Sequence, residues 1–266
     1  WHLRLWQKKK ACGYEGQGAM LFNSIEFLLF FPIVVVIYFA IPQKLKQLWL
    51  LLASYYFYMC WNAKYAILIL LSTAITYASG LLMEGIKQKK YDAQKEKKLK
   101  NWVVALSFAS NLSILFYFKY INFALSTLGE MLHFAHIELN VPTFDIILPV
   151  GISFYTFQAL SYTMDVYRGE IYAEKNLLKY ALFVSFFPQL VAGPIERSKN
   201  LLKQISKVHR FDVEKVRSGL FLMLYGFFQK VVVSEYMAIV VNNVYDNYTK
   251  RSGFQLLLAS ICFAFQ

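Results

Sequence analysis

From residue 21 onward the sequence alternates apolar stretches near membrane length with clusters of lysine and arginine, and this alternation limits the fold more than any other feature. A helix needs roughly 20 apolar residues to cross a hydrocarbon core. Candidate spans cover residues 27–41, interrupted by Pro32, then 47–63 and 65–83, separated only by the turn WNAKY. Further runs cover 101–118, 144–164 and 218–245, the last with a break expected near Lys230, and a final run follows Arg251. A polar, mildly amphipathic segment extends from the fourth run through His136. Charged residues make up 17% of the chain, against about a quarter in soluble domains. The expected fold class is all-α, a polytopic membrane protein. A soluble protein with buried helices is the alternative, and the run lengths disfavour it.

A net charge of +12 invites a nucleic-acid reading. The charges, however, gather between apolar runs, as in cytoplasmic loops under the positive-inside rule. No nucleic-acid partner is expected, and membrane lipid is. Cys12, Cys60 and Cys262 have no metal-ligand spacing, so neither a disulfide framework nor a metal site is expected. The segment WHLRLWQKKKACGYEGQGA lacks the apolar core of a signal peptide. Met20 opens a better membrane-protein start, so residues 1–19 are expected to be upstream sequence or a non-native leader.

Two basic blocks, 84–100 and 196–217, each carry seven Lys or Arg against three acids, and both are expected to face the cytoplasm. Run 101–118 then leaves the cytoplasm and run 144–164 returns to it. A further crossing by 180–195 would strand the second block outside. The parity holds if 180–195 dips into the membrane and comes back. Pro188, Gly193 and Pro194 fit such a broken segment, which membrane interiors tolerate where protein covers the backbone. The same count puts Lys44 and Lys46 inside and Met20 outside.

Asp165 and Arg168 are spaced i, i+3 and share a helix face on which they could pair. They end a run holding Ser153, Thr156, Gln158, Ser161 and Thr163, and polar groups in such a run face the protein interior or a water path. The simpler reading is that the two charges anchor the helix end at the water boundary. Phe154, Tyr155, Phe157, Tyr162 and Tyr167 read as packing or an interfacial belt. The sequence contains no phosphate-binding glycine loop, serine nucleophile elbow or HExxH. Of the histidines, His133 and His136 are i, i+3 without a third ligand, His209 lies in a basic loop, and His2 belongs to the leader. None reads as catalytic.

The opening MLFNSIEFLLFFPIVVVIYFAIP, the motif GISFYTFQALSYTMDVYRGEI and the motif FPQLVAGPIERSKNLLKQI, in this order, resemble the membrane-bound O-acyltransferase family. The likeness is greatest to its bacterial alginate O-acetyltransferase branch. The resemblance implies helices and re-entrant segments around a funnel or tunnel. It implies a cytoplasmic acyl donor, such as acetyl-CoA or an acyl carrier thioester, as substrate, with no bound cofactor. The implied acceptor is a hydroxyl of an exported or cell-surface polysaccharide, and an extracytoplasmic acetylation partner protein is a variant. Gln158, Asp165, Arg168, Gly193, Pro194 and Arg197 become candidates for the donor pathway or its supporting structure. The family's histidine follows a tryptophan in its second half and is expected beyond residue 266; Trp1-His2 is not given that role. Residues 20–266 are therefore expected to be the N-terminal part of one membrane domain, inactive alone. D-alanyl transfer to teichoic acid and a non-enzymatic polysaccharide-export or transporter component are the alternatives. No internal repeat of the transporter kind is visible.

Overall fold

The structure, a computed structural model, describes residues 20–89, 91–134, 148–190, 193 and 196–266. Its regular elements are helices, and the described residues contain no strand. In chain order they are α1 (Ile25–Ala40), α2 (Gln43–Asn62), α3 (Ala66–Gln88), α4 (Ala93–Phe134), α5 (Ile152–Arg168), α6 (Leu177–Ser185), α7 (Phe187–Leu190), α8 (Ser198–Ser206), α9 (Val213–Phe227), α10 (Glu235–Tyr245) and α11 (Gly253–Phe265). A single 3₁₀ turn, Ala63–Tyr65, joins α2 to α3, and a π-helical segment, Phe228–Ser234, joins α9 to α10. Three continuous stretches are long and apolar enough to cross a membrane: Gln43–Gln88, Ala93–Leu132 and Val213–Tyr245. This is the architecture of a polytopic membrane protein.

The stretch Gln43–Gln88 is two helices, because Asn62 takes an extended backbone (φ −166°, ψ 111°) and its side chain caps the next turn, accepting from the Lys64 amide at 3.0 Å. The chain reverses there, as the turn WNAKY led us to expect. The run 101–118 is embedded in a much longer helix. α4 has 42 residues, about 63 Å at 1.5 Å per residue, because its lysine-rich start and its polar tail continue the same helical phase. Of the run expected from residue 144, the described residues 148–151 are not helical, and the helix starts at Ile152, after Gly151 adopts a left-handed conformation (φ 74°). Residues 144–147 lie outside the described residues. α5 ends at Gly169, also left-handed (φ 76°), whose amide and that of Glu170 close a Schellman turn on Val166 and Asp165.

The chain divides into two compact units. The first holds Val34–Val208 with Met20, and the second Leu21–Ile33 with His209–Gln266. In the first, α5 and α6 lie against α2, α3 and α4 around a core of Tyr58, Ile69, Met83, Tyr155, Tyr162, Tyr180 and Phe183. The rings of Tyr162 and Tyr180 lie 4.4 Å apart, and Gly80 of α3 touches Tyr162 so closely that an added Cβ would stand 2.8 Å from its hydroxyl. Polar side chains knit the apolar helices together: Ser72 donates to Asn111 (2.6 Å), which donates to the Ser107 carbonyl (2.9 Å). Such hydrogen bonds hold helices where lipid supplies no hydrophobic drive.

In the second unit, α9, the π segment and α10 form one rod, and α11 returns along α10. Asp212 caps α9, accepting from the amides of Glu214 and Lys215. The Lys215 amide, above all, holds the exposed Asp212 carboxyl below its ordinary value. The expected break near Lys230 takes the form of the π segment, not a loop.

Candidate functional site

The segment between the two sequence motifs can be followed through its contacts with α5. It leaves α5 at Arg168, beside the start of α4, where the Tyr167 hydroxyl donates to Asn101 at 2.7 Å. The Glu174 amide donates to the Tyr162 hydroxyl (2.9 Å), and the Lys175 carbonyl accepts from Tyr77 (2.6 Å). α6 then climbs beside α3 and α5, with the Tyr180 hydroxyl donating to Thr76 at 2.6 Å. By Leu190 the chain has reached Gly151, the residue just before α5. The Leu190 carbonyl lies so close to Gly151 that an added Cβ would stand 2.1 Å from it. At Ser198, eight residues on, the chain is back near the far end of α5, where the Ser198 hydroxyl donates to the Asp165 carboxylate. The segment enters and leaves at the same end of the helix.

The climb is broken. α6 stops at Phe186 (φ −59°, ψ 110°) and α7 begins at Phe187. A continuous helix would bond the Phe187 amide to the Phe183 carbonyl. Here both groups are met by side chains from other helices. Ser54 of α2 accepts from the Phe187 amide (3.2 Å), and Gln158 of α5 donates to the Phe183 carbonyl (2.7 Å). Gln158 Nε2 also donates to Gln189 Oε1 at 2.9 Å, and Gln158 is only 3% exposed. Buried backbone groups left unpaired are costly, so these side chains are what permit a break inside the bundle. Pro188 then falls in the first turn of α7, where its missing N–H costs nothing.

Gly193 follows α7 and folds onto it. Its amide donates to the Gln189 carbonyl (3.3 Å), and an added Cβ would meet Gln189 Cα at 2.5 Å and the Pro188 oxygen at 2.6 Å. Only glycine fits this close approach. Pro194 lies outside the described residues. Asp165 is half-buried and bonded to Ser198, which opens α8. α8 receives no capping bond from the side chain of its own N-cap, Arg197; the Asp165 carboxylate meets the side chain of its first residue, Ser198, at the positive end of the helix. Asp165 and Arg168 do not pair: among the described residues the ion pairs are Lys100–Glu96 and Lys215–Asp212. Arg168 and Arg197 are exposed.

The charged ends of the first unit gather together. Gln47 at the start of α2 donates to the Ile205 carbonyl of α8 (3.2 Å), and Lys87 at the end of α3 lies 5.3 Å from the Tyr172 ring. With the Tyr167–Asn101 and Asp165–Ser198 bonds, these contacts bring Lys44, Lys87, Lys95, Arg168, Arg197 and Lys199 to one end of the bundle. Among the described residues the opposite end has few charges. There Trp61 donates to the Met20 carbonyl (3.1 Å), Tyr65 packs edge-on against Phe118, and Lys119 reaches Ser153 (3.4 Å).

Sequence reasoning singled out Gln158, Asp165 and Gly193 but missed Ser54, Gln189, Ser198 and Gly151, which hold them. Gly151 and Gln189 stand inside the motifs, and Ser198 follows directly on GPIER. Nothing local marks Ser54, 133 residues from its partner. Among the described residues no cluster of His, Cys, Asp or Glu could hold a metal. The side chain of His133 and all of His136 lie outside the described residues, and His209 is exposed.

Comparison with known proteins adds a second line of argument. The chain is 36% identical over 236 residues to the probable alginate O-acetylase AlgI of Pseudomonas aeruginosa, a match covering 88% of this chain and 44% of that protein. It is 31% identical over 279 residues to the peptidoglycan O-acetyltransferase of Helicobacter pylori, covering 93% and 50%. Similarity to the teichoic acid D-alanyltransferase of Bacillus subtilis is weaker, 23% over 135 residues, covering 47% and 34%. No family model and no solved structure matches. The chain thus spans about half the length of the curated relatives it matches best here. Over 88% of its own length the chain is homologous to the probable alginate O-acetylases, in line with the resemblance its paired motifs carry.

Proposed function

We propose that the chain is part of a membrane O-acyltransferase that moves an acetyl group from a cytoplasmic thioester, acetyl-CoA or an acyl carrier, to hydroxyls of an exported or cell-surface polysaccharide. The observation that carries this reading is the match, along nearly the whole chain, to proteins named alginate O-acetylase and peptidoglycan O-acetyltransferase. In this reaction a base takes the proton of the acceptor hydroxyl, its oxygen attacks the thioester carbonyl, and the thiolate leaves. The base is a histidine that the family resemblance puts outside residues 1–266, and an extracytoplasmic partner protein completes delivery to the polymer.

The residues in hand then have supporting roles. Gln158 and Gly193 shape the broken α6–α7 segment beside the donor pathway. Asp165 fixes α8, while Arg168 and Arg197 stand exposed at the basic end, which faces the cytoplasm and the donor. The test is to express the full-length gene in a bacterium deleted for its own polysaccharide O-acetylase. Base-labile acetyl on the purified polymer is the expected result. D-alanyl esters instead would move the protein to teichoic acid modification. A correctly inserted protein with no ester of either kind would sink the enzyme reading.

A further inference from the structure

The run 218–245 carries two charges, Lys230 and Glu235. Lys230 stands about 18 Å along the helix from residue 218 and about 22 Å from Tyr245, at 1.5 Å per residue. In a core of roughly 30 Å that is near mid-depth. A lysine there is tolerated when it faces the protein interior, a water-filled cavity or a partner group. Its four-carbon stem is too short to carry the ammonium to either interface, so it is not a snorkelling anchor. Yet Lys230 is exposed on its own unit, and among the described residues its ammonium reaches only Ser234 Oγ, at 3.5 Å. That hydroxyl already donates to the Gln266 carbonyl at 2.9 Å. Glu235 is exposed too and lies beyond ion-pair distance.

The backbone supplies a second, independent observation. Lys230 sits within seven consecutive π-helical residues, Phe228–Ser234. π-helical turns are rare, and they concentrate at functional sites. Here the wide turn coincides with the one basic residue of the run.

We propose that Lys230 is the cationic point of a water-accessible path within the membrane, where its ammonium receives an oxyanion of a substrate. A lysine binds phosphate or carboxylate as a point charge with three donors. The accessibility claim stands apart from acyl transfer. Only the choice of oxyanions rests on the proposed function: phosphate from a coenzyme-A donor, or carboxylate from a uronate acceptor.

The test uses the full-length protein with Cys12, Cys60 and Cys262 replaced by alanine. A membrane-impermeant sulfonate thiol reagent is applied to Lys230→Cys from outside intact cells and, separately, to inverted vesicles. Leu257→Cys, in the uncharged run of α11, is the lipid-facing reference. Lys230→Cys is expected to react from at least one side about tenfold faster than the reference, as a water-lined position should. Protection is read on Ser234→Cys, which keeps the lysine: acetyl-CoA in inverted vesicles, or a uronate oligosaccharide outside cells, is expected to slow its reaction severalfold, and whichever protects identifies the source. No reaction from either side overturns the path. Reaction that neither compound slows overturns the oxyanion site. If Lys230→Cys does not insert, Ser234→Cys is read for accessibility in the same way. No arm requires catalysis, so failure of the acyltransferase reading would leave the accessibility result standing.

Discussion

Asp165 shows how a charge inside a motif can be structural. Its carboxylate accepts from the hydroxyl of Ser198, the first residue of α8, and so ties that helix to α5. In the full-length protein, Asp165→Ala is expected to cost about 1.5 kcal/mol, the lower end of the range for a hydrogen bond to a charged group, because the site is only half-buried. Asp165→Asn keeps an acceptor and should recover most of that loss. The measurement is folded yield and thermal stability in detergent, set against turnover per folded molecule. Yield should fall more than turnover; normal yield with abolished turnover would make Asp165 catalytic. The sequence suggested Arg168 as the partner of Asp165, and the structure gives Ser198. Spacing i, i+3 reports only neighbours on one helix, whereas Ser198 is 33 residues away and arrives through the returning segment.

At the scale of elements, the break at Phe186 was legible and its support was not. Pro188, Gly193 and Pro194 announce an interrupted helix. They do not reveal that two separate helices satisfy the two ends of the missing bond. Each support acts on one end of the same gap: Ser54 on the Phe187 amide, Gln158 on the Phe183 carbonyl. Gln158→Leu and Ser54→Ala should each cost about 1–3 kcal/mol, the penalty for a buried backbone group left unpaired. Because both stabilise one junction, their effects should not add. A double-mutant cycle on unfolding is expected to give a coupling of at least about 0.5 kcal/mol. Strict additivity would mean that the two ends of the break are held independently. The helix boundaries show the same division. Charge clusters mark where spans begin, but α4 runs through its lysine-rich start and polar tail because neither contains a proline, and hydropathy reports solvent preference, not helical phase.

At the scale of the molecule, the parity count from the sequence and the contacts of the first unit meet on one question, the side on which each end of the bundle lies. Parity required 180–195 to return without crossing. Independently, the segment starts beside Arg168 and comes back to Asp165. The basic starts or ends of α2, α3, α4, α5 and α8 then share one end, and we propose, on the positive-inside rule, that this end faces the cytoplasm. Two cysteines distinguish this topology from its inverse. Gln94→Cys, on α4 within the lysine-rich block, should resist an impermeant thiol reagent in intact cells and react in inverted vesicles. Lys64→Cys, in the turn between α2 and α3, should do the opposite. An exchanged pattern would invert the topology and move the proposed donor side outside. Labelling of both positions from one side would mean that α2, α3 and α4 do not traverse the membrane as read, and the re-entrant segment would lose its basis in parity.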